Sequence, residues 1–174
     1  MVYKIVIGLL FVINIYAQTD LQDIKTYKAD FKQTVINESN KELKYEGTLF
    51  IDSVGKVLWQ YKTPIIKNVY LLKNSVIIDE PELEQAIYTK LENGIDFINL
   101  LKKAQKIDNN HFRAKVKDID YDISLKNGKI DLVTYKDQLG NSVIIKLNNS
   151  EKNIPLENEI FTFLPPEYYD IIKQ

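Results

Sequence analysis

The dominant pattern along the chain is an alternation of apolar and polar residues, which begins near residue 29 and returns in many short segments. One example lies between residues 43 and 52, where the apolar positions are Leu43, Tyr45, Leu49 and Ile51. Such alternation is typical of β-strands that have one face on a core and the other in water. Asn127-Gly128, between two alternating segments, is a strong hairpin signal. The pattern predicts a mainly β, antiparallel protein of about ten or eleven short strands.

Two segments have helical spacing instead. Residues 19–27 place Leu21, Ile24 and Tyr27 or Lys28 three or four positions apart behind a Thr/Asp cap. Residues 95–104 combine apolar residues at helical spacing with basic residues at the end. This order predicts a single large curved antiparallel sheet, open or partly closed as a barrel, with the short helices set against its concave side.

The first residues have the pattern of a secretory signal peptide. Lys4 precedes an uncharged, largely apolar run that ends at Ala17, and polar residues follow. The run is shorter than the roughly 20 residues of a membrane-spanning helix, and Asn14 interrupts it, which disfavours a retained anchor. We therefore expect cleavage near Ala17, with residues 1–17 as signal peptide and 18–174 as one exported domain. The absence of cysteine excludes disulfides and lipid attachment through a cysteine.

Composition gives little indication of catalysis or nucleic-acid binding. The net charge of −1 provides no basic face for phosphates. His111 is the single histidine, so no second imidazole is available for a metal site. Asp118, Asp120 and Asp122 resemble the start of a calcium loop, but apolar residues alternate with them, which is typical of the wet face of a strand. We expect no enzyme activity, no metal and no cofactor.

Aromatic residues are the remaining signal. The chain has eleven tyrosines, seven phenylalanines and one tryptophan, and many lie on predicted strands. They can form an ordinary packed core. They can also line a ligand cavity, since a sheet of this size encloses space when it curls. The sequence pattern alone leaves both interpretations open.

Four motifs, in order and at matching spacing, resemble those of the LolA family of periplasmic carriers of outer-membrane lipoproteins. The motifs are Gly47-Thr48-Leu49-Phe50-Ile51, Trp59-Gln60-Tyr61-Lys62-Thr63-Pro64, Leu83-Glu84-Gln85-Ala86 and Phe161-Thr162-Phe163-Leu164-Pro165-Pro166. The resemblance extends over essentially the whole chain after the signal peptide.

The resemblance implies an unclosed β-barrel with a short-helix lid over a hydrophobic concave face. It implies a monomeric carrier that accepts acylated lipoproteins from an inner-membrane LolCDE-type ABC transporter and passes them to an outer-membrane acceptor, of LolB type or unknown. The acyl-chain cavity that it implies comprises Leu49, Ile51, Val57, Trp59, Tyr61 and Phe163. The lid that it implies comprises Leu21, Ile24, Phe97, Leu100 and Leu101.

One departure from the family pattern concerns the lid. Members commonly carry an Arg-Pro pair between the first two motifs, and the arginine helps hold the empty cavity closed. This sequence has Ser53-Val54 there, and its single arginine is Arg113. The lid is then held by apolar contacts, by a lysine such as Lys56, or less firmly.

Other functions on the same fold remain open at this point. A related carrier of lipids or glycolipids, or a protein that senses stray lipoproteins, would have the same architecture, because a fold does not specify its cargo. A transmembrane barrel is disfavoured because one face of nearly every predicted strand carries charged residues. A secreted hydrolase is disfavoured because no nucleophile and base pair is recognisable.

Overall fold

A computed structural model describes residues 21–90, 101–116 and 118–174. The predicted signal peptide, the lid residues Phe97 and Leu100 and most of the predicted helix over 95–104 lie outside these residues. Residues 101–103, at the end of that segment, are helical. Among the described residues, no helix has the length and apolar character needed to cross a membrane.

The described residues form one twelve-stranded sheet. Its strands are β1 (Tyr27–Ile36), β2 (Glu42–Ile51), β3 (Val57–Thr63), β4 (Lys67–Leu71), β5 (Ser75–Glu80), β6 (Gln85–Lys90), β7 (Gln105–Lys106), β8 (His111–Val116), β9 (Ile119–Lys126), β10 (Lys129–Lys136), β11 (Ser142–Lys152) and β12 (Asp170–Lys173). The spatial order is β12-β6-β5-β4-β3-β2-β1-β11-β10-β9-β8-β7, so the two edge strands do not pair and the sheet is unclosed. All neighbours are antiparallel except β12 and β6, which are parallel.

The same five-residue turn connects three of the hairpins. In each, the side-chain oxygen of the first residue, Asn37, Asp52 or Asp137, accepts hydrogen bonds of 2.8–3.0 Å from the backbone N–H groups two and four residues later. The fourth residue has a positive φ, 57° at Asn40, 87° at Gly55 and 81° at Gly140. Asparagine and glycine tolerate this conformation best, so these turns fix the register of β1–β2, β2–β3 and β10–β11 from local sequence.

The sheet curls strongly enough to bring distant strands together. Val69 of β4 and Ile123 of β9 line one cavity, although five strands separate their own strands in the sheet. The concave face carries the main core, centred on buried residues such as Phe31, Leu49, Ile123 and Leu147. The predicted mainly β fold with one large curved, unclosed antiparallel sheet is confirmed.

A second core lies on the opposite, convex face. Leu58, Tyr70 and Ile77 point away from the cavity and pack against Phe161. Phe161 ends a 3₁₀ helix (Asn158–Phe161), and the chain then leads to β12 at the sheet edge. The C-terminal segment thus covers apolar residues on the convex face that would otherwise be exposed to water.

The N-terminal segment differs from its prediction. In the described part of this segment, Leu21–Asp23 form a single 3₁₀ turn, and Tyr27 already begins β1. The predicted helix over 19–27 is therefore too long. Leu21, Ile24 and Tyr27 are nonetheless all buried, because the turn and the first strand residue both face the core.

Candidate functional site

The concave face contains a cavity of about 250 Å³ with mostly apolar walls. One side is lined by Leu49, Ile51, Trp59, Tyr61, Val69 and Leu71 of β2–β4. The other side is lined by Tyr121, Ile123, Val133, Tyr135, Ile145 and Leu147 of β9–β11. Strand β1 supplies the floor between the two halves. Apolar walls with few polar groups are typical of sites for apolar ligands.

Mostly aliphatic side chains form one end of the cavity. Tyr27 also lines the cavity here, and its hydroxyl donates to the carbonyl oxygen of Ile130 over 3.4 Å. Ile51 and Ile130 stand at strand ends on this side. Leu101, from the connection between β6 and β7, also lines the cavity and has only 2% of its surface exposed. Leu21 and Ile24 of the N-terminal turn are buried next to Ile130 and line a smaller space behind it. This end is therefore closed by side chains from outside the sheet.

Aromatic rings form the middle of the cavity wall. Phe31 contacts Trp59 and Tyr61 edge to face, with ring centroids 4.9 and 5.1 Å apart. Phe31 lies across Gly47 of β2, where an added Cβ would be 2.8 Å from two carbons of the phenyl ring. The absence of a side chain at Gly47 thus allows Phe31 to support the indole and phenol rings that face the cavity.

Hydroxyl and amide groups form the other end, which we call the tyrosine end and define as Gln33, Tyr61, Tyr121 and Tyr135. The Tyr61 hydroxyl donates to Gln33 Oε1 over 3.0 Å. The rings of Tyr121 and Tyr135 lie 4.8 Å apart. All four residues are partly buried and lie near strand ends on the same side of the sheet. The cavity therefore has an aliphatic end and a hydrogen-bonding end.

Burial keeps the tyrosine hydroxyls protonated. It raises the pKa of Tyr61 to about 12, and the neighbouring Tyr135 and Tyr45 add to the effect. It also raises the pKa of Tyr135 to about 12, with Tyr121 and Asp137 adding to it. Burial raises the pKa of Tyr121 as well. At neutral pH these groups are therefore neutral hydrogen-bond donors.

These pKa values predict a loss of stability in alkali. The unfolded chain releases the phenolic protons of Tyr61 and Tyr135 at the ordinary pKa of 10.0, whereas the folded protein holds them to about 12. Their contribution to the free energy of unfolding is therefore complete below about pH 10 and is lost as the pH rises through about 12. Urea unfolding at a series of pH values measures this loss.

Two variants separate this effect from general alkaline denaturation. The double variant Tyr61→Phe, Tyr135→Phe should lose less stability than the unaltered protein between about pH 9 and about pH 11.5. Tyr168→Phe, which removes a phenol that is 68% exposed, should follow the unaltered protein. An equal alkaline loss in all three proteins would contradict the prediction.

The structure brings together four of the six residues that the family resemblance assigned to the cavity: Leu49, Ile51, Trp59 and Tyr61. Val57 is on the same strand face but packs within the main core and does not line the cavity. Of the lid residues, Leu101 lines the cavity, and Leu21 and Ile24 close its aliphatic end from behind. Phe97 and Leu100 lie outside the described residues.

Phe163, which the family resemblance assigned to the cavity, lies elsewhere in the fold. Its ring packs against Tyr70, Tyr88 and Tyr169, with centroids 5.6, 6.4 and 6.3 Å apart. Phe163, Tyr70 and Tyr88 belong to the second core, on the convex face. The physical reason is that the C-terminal segment covers the outer face before it reaches β12, so its aromatic residues pack there.

Several cavity residues were not among those predicted. They include Gln33 on β1 and the inward-facing residues of β9, β10 and β11, such as Tyr121, Val133 and Ile145. The signal available in the sequence is the alternation, which indicates that each of these strands has one apolar face. What the alternation does not indicate is that the sheet curls until β9 faces β4.

The residues considered for a lid latch are engaged elsewhere. Ser53 lies in the turn that Asp52 organises, and the ammonium of Lys56 is 3.8 Å from the carboxylate of Asp52 in that same hairpin. The guanidinium of Arg113 pairs with Asp122 at 2.8 Å on the exposed face of β8 and β9. Among the described lid residues, the contacts with the sheet are apolar.

Known proteins resemble this chain over nearly its whole length. The family model "Outer membrane lipoprotein carrier protein LolA" matches residues 22–120. A Campylobacter jejuni protein named outer-membrane lipoprotein carrier protein is 35% identical over 99% of this chain and 97% of its own length. A Helicobacter pylori protein of the same name is 36% identical over 88% of this chain and 83% of its own.

A solved structure agrees in fold. A LolA superfamily protein from Nitrosomonas europaea superposes with a TM-score of 0.51 at 11% identity, over 86% of this chain and 96% of that one. At this identity the likeness bears on the fold alone. The resemblance inferred from the four motifs is confirmed by the family model and by the relatives with which the chain aligns nearly end to end. This chain belongs to the LolA family.

Proposed function

We propose that this protein is a periplasmic chaperone that takes acylated lipoproteins from an inner-membrane ABC transporter, shields their acyl chains and delivers them to the outer membrane. The observation that carries the proposal is the apolar cavity of about 250 Å³ on the concave face. The relatives named outer-membrane lipoprotein carrier protein support it.

The physical task of such a carrier is to offset the cost of exposing acyl chains to water. At ~0.8 kcal/mol per methylene, one chain of about sixteen carbons costs on the order of 12 kcal/mol. Contact with side chains such as Ile123, Val133 and Leu147 replaces contact with water. The carrier must also release its cargo, so its acceptor has to bind the same chains more favourably.

The size of the cavity indicates that loading requires movement of the lid. Its volume is slightly below the ~300–1,000 Å³ of ordinary ligand pockets. Long acyl chains therefore need additional space, and Leu101 is the described residue that reaches into the cavity from outside the sheet. In this proposal cargo displaces Leu101, Leu21 and Ile24, and closure of the lid competes with cargo for the same surface.

The proposed partners follow from this role. The donor is a LolCDE-type transporter, the cargo is acylated lipoprotein, and the acceptor is an outer-membrane protein of LolB type or one not yet identified. The protein acts as a monomer and does not bind nucleic acid, in keeping with its net charge of −1. Residues 1–17 direct export and are removed near Ala17, and residues 18–174 form the carrier domain.

A carrier role also suits the chemistry of the cavity. The side chains with polar atoms among its described lining residues are tyrosines, Gln33 and Trp59, and no carboxylate, imidazole or amine is among them. These groups donate hydrogen bonds but supply no nucleophile with an adjacent base. We therefore propose that the protein binds its cargo without chemical change.

Binding of an acylated cargo tests this proposal directly. A purified lipoprotein with its N-terminal acyl chains should form a soluble one-to-one complex with the protein. The same lipoprotein with its modified cysteine replaced by serine, and hence without acyl chains, should remain unbound because the cavity then has nothing apolar to bury. Size-exclusion chromatography with native mass spectrometry of the complex measures both results.

A glycolipid of the outer membrane provides the comparison for the alternative carrier function. Preference for the glycolipid over the acylated lipoprotein would favour a glycolipid carrier on the same fold. Equal retention of the acylated and unacylated lipoproteins would show that the cavity is not the binding site, and the proposed function would then be rejected.

A further inference from the structure

The two ends of the cavity differ in chemistry, and this difference bears on how a ligand is oriented. The aliphatic end, with Ile51 and Ile130, matches the hydrocarbon tail of an acyl chain. The tyrosine end matches a different part of the ligand, because a ligand that displaces water from its hydroxyl and amide groups must offer them hydrogen-bond acceptors.

Within the described part of the chain, several N–H and O–H groups at the tyrosine end have no hydrogen-bond acceptor. The Tyr61 hydroxyl bonds to Gln33 Oε1, which leaves the two N–H groups of the Gln33 amide. No described residue accepts a hydrogen bond from this amide nitrogen or from the hydroxyls of Tyr121 and Tyr135. Three donor groups that line the cavity are therefore available to a ligand.

Tyr61 orients the side-chain amide of Gln33. Its hydroxyl holds the oxygen of Gln33 and so fixes which side of the amide faces the cavity. Its own ring is held by Phe31, 5.1 Å away, and by Tyr45, 5.7 Å away. The amide is therefore oriented before any ligand enters, which lowers the entropic cost of binding.

We propose that the tyrosine end is a subsite for the carbonyl groups that link acyl chains to a lipid-modified polypeptide. The ester and amide carbonyls accept hydrogen bonds from Tyr121, Tyr135 and the Gln33 amide, and the hydrocarbon chains extend toward Ile51 and Ile130. This inference rests on the proposed function and adds to it the orientation of the cargo. It also predicts specificity, because the subsite distinguishes an acyl linkage from an alkyl chain of equal length.

The test uses two synthetic lipopeptides with the same peptide and the same chain length, one with two ester-linked acyl chains and one with two ether-linked alkyl chains. The ether probe lacks the carbonyl acceptors but buries the same hydrocarbon. The unaltered protein should bind the ester probe more tightly. The double variant Tyr121→Phe, Tyr135→Phe should bind the ester probe about tenfold to thirtyfold more weakly and the ether probe within about twofold of the unaltered protein.

Tyr70→Phe is the matched control, since Tyr70 is a buried tyrosine of the same sheet on the convex face. Its affinity for both probes should equal that of the unaltered protein. Equal weakening for both probes in the double variant, or no weakening for either, would overturn the subsite. Binding of the ether probe would in that case still support a lipid-carrying cavity. Failure of the unaltered protein to bind either probe would instead reject the proposed function and the subsite together.

Discussion

Replacing Gly47 with alanine should lower the free energy of unfolding by about 3 kcal/mol, a large effect for one methyl group. A Cβ at this position would stand 1.9 Å from the backbone oxygen of Gln60 on β3 and 2.8 Å from the ring of Phe31 on β1. The first of these contacts is with backbone, which cannot rotate away. β2 would therefore have to separate from β3 or from β1.

The contact arises from an irregularity in the sheet. The register of β2 against β3 shifts between Glu46 and Gly47, which brings the Gln60 carbonyl close to Gly47. Phe31 fills the space above the glycine and supports Trp59. The single tryptophan thus reports on the packing that the added methyl disturbs.

Urea unfolding followed by Trp59 fluorescence measures the effect. Glu46→Ala, at the neighbouring position on the same strand, is the control. It removes an exposed ion pair with Lys32, with 2.7 Å between charged atoms, and should cost less than about 1 kcal/mol. Similar free energies of unfolding for Gly47→Ala and Glu46→Ala would show that the strands adjust to the methyl group without cost.

Gly47 also illustrates which parts of the fold the sequence indicates. Alternation predicts β1 and β2 with the correct inward-facing residues, including Phe31 and Leu49. Turn residues such as Gly55 and Gly140 predict hairpins, because their positive φ is a local requirement. These features depend on neighbours within a few residues, and local sequence therefore suffices to predict them.

Features that depend on distant contacts are not predicted in this way. β12 pairs with β6 in parallel, and the pairing joins residues such as Asp170 and Gln85 that are far apart in the chain. The apolar positions of β11 end at Leu147, but the strand extends from Ser142 to Lys152, because β1 continues to provide a partner as far as Tyr27. Phe163 likewise packs on the convex face because of what the rest of the sheet leaves uncovered there.

The cavity depends both on local motifs and on contacts between distant parts of the chain. The family motifs indicate Trp59 and Tyr61, which lie on one side of it. The other side, with Tyr121 and Ile145, becomes part of the same site only when the sheet curls, and curvature is a property of the whole sheet. A single strand does not reveal whether its apolar face meets another side chain or a ligand.

Filling the cavity should therefore abolish most of the binding of acylated cargo. Ile145 lies at the centre of the concave face, where it pairs with Gln33 of β1 and Val133 of β10, and its side chain lines the cavity. In the variant Ile145→Trp the indole occupies space that two or three methylenes of an acyl chain would otherwise fill. At ~0.8 kcal/mol for each methylene displaced, the affinity for a diacylated lipopeptide should fall roughly 30-fold.

Ile144→Trp is the matched control, because Ile144 is the preceding residue on β11, points to the opposite face and is 36% exposed. It introduces the same side chain into the same strand and should leave the affinity unchanged. Thermal unfolding of both variants shows whether the fold is retained, and titration with a fluorescent diacylated lipopeptide gives the affinities. A folded Ile145→Trp variant that binds as tightly as Ile144→Trp would mean that acyl chains do not enter this cavity. The difference between the two variants depends only on which face of β11 carries the indole, so it tests the site independently of any effect on the strand itself.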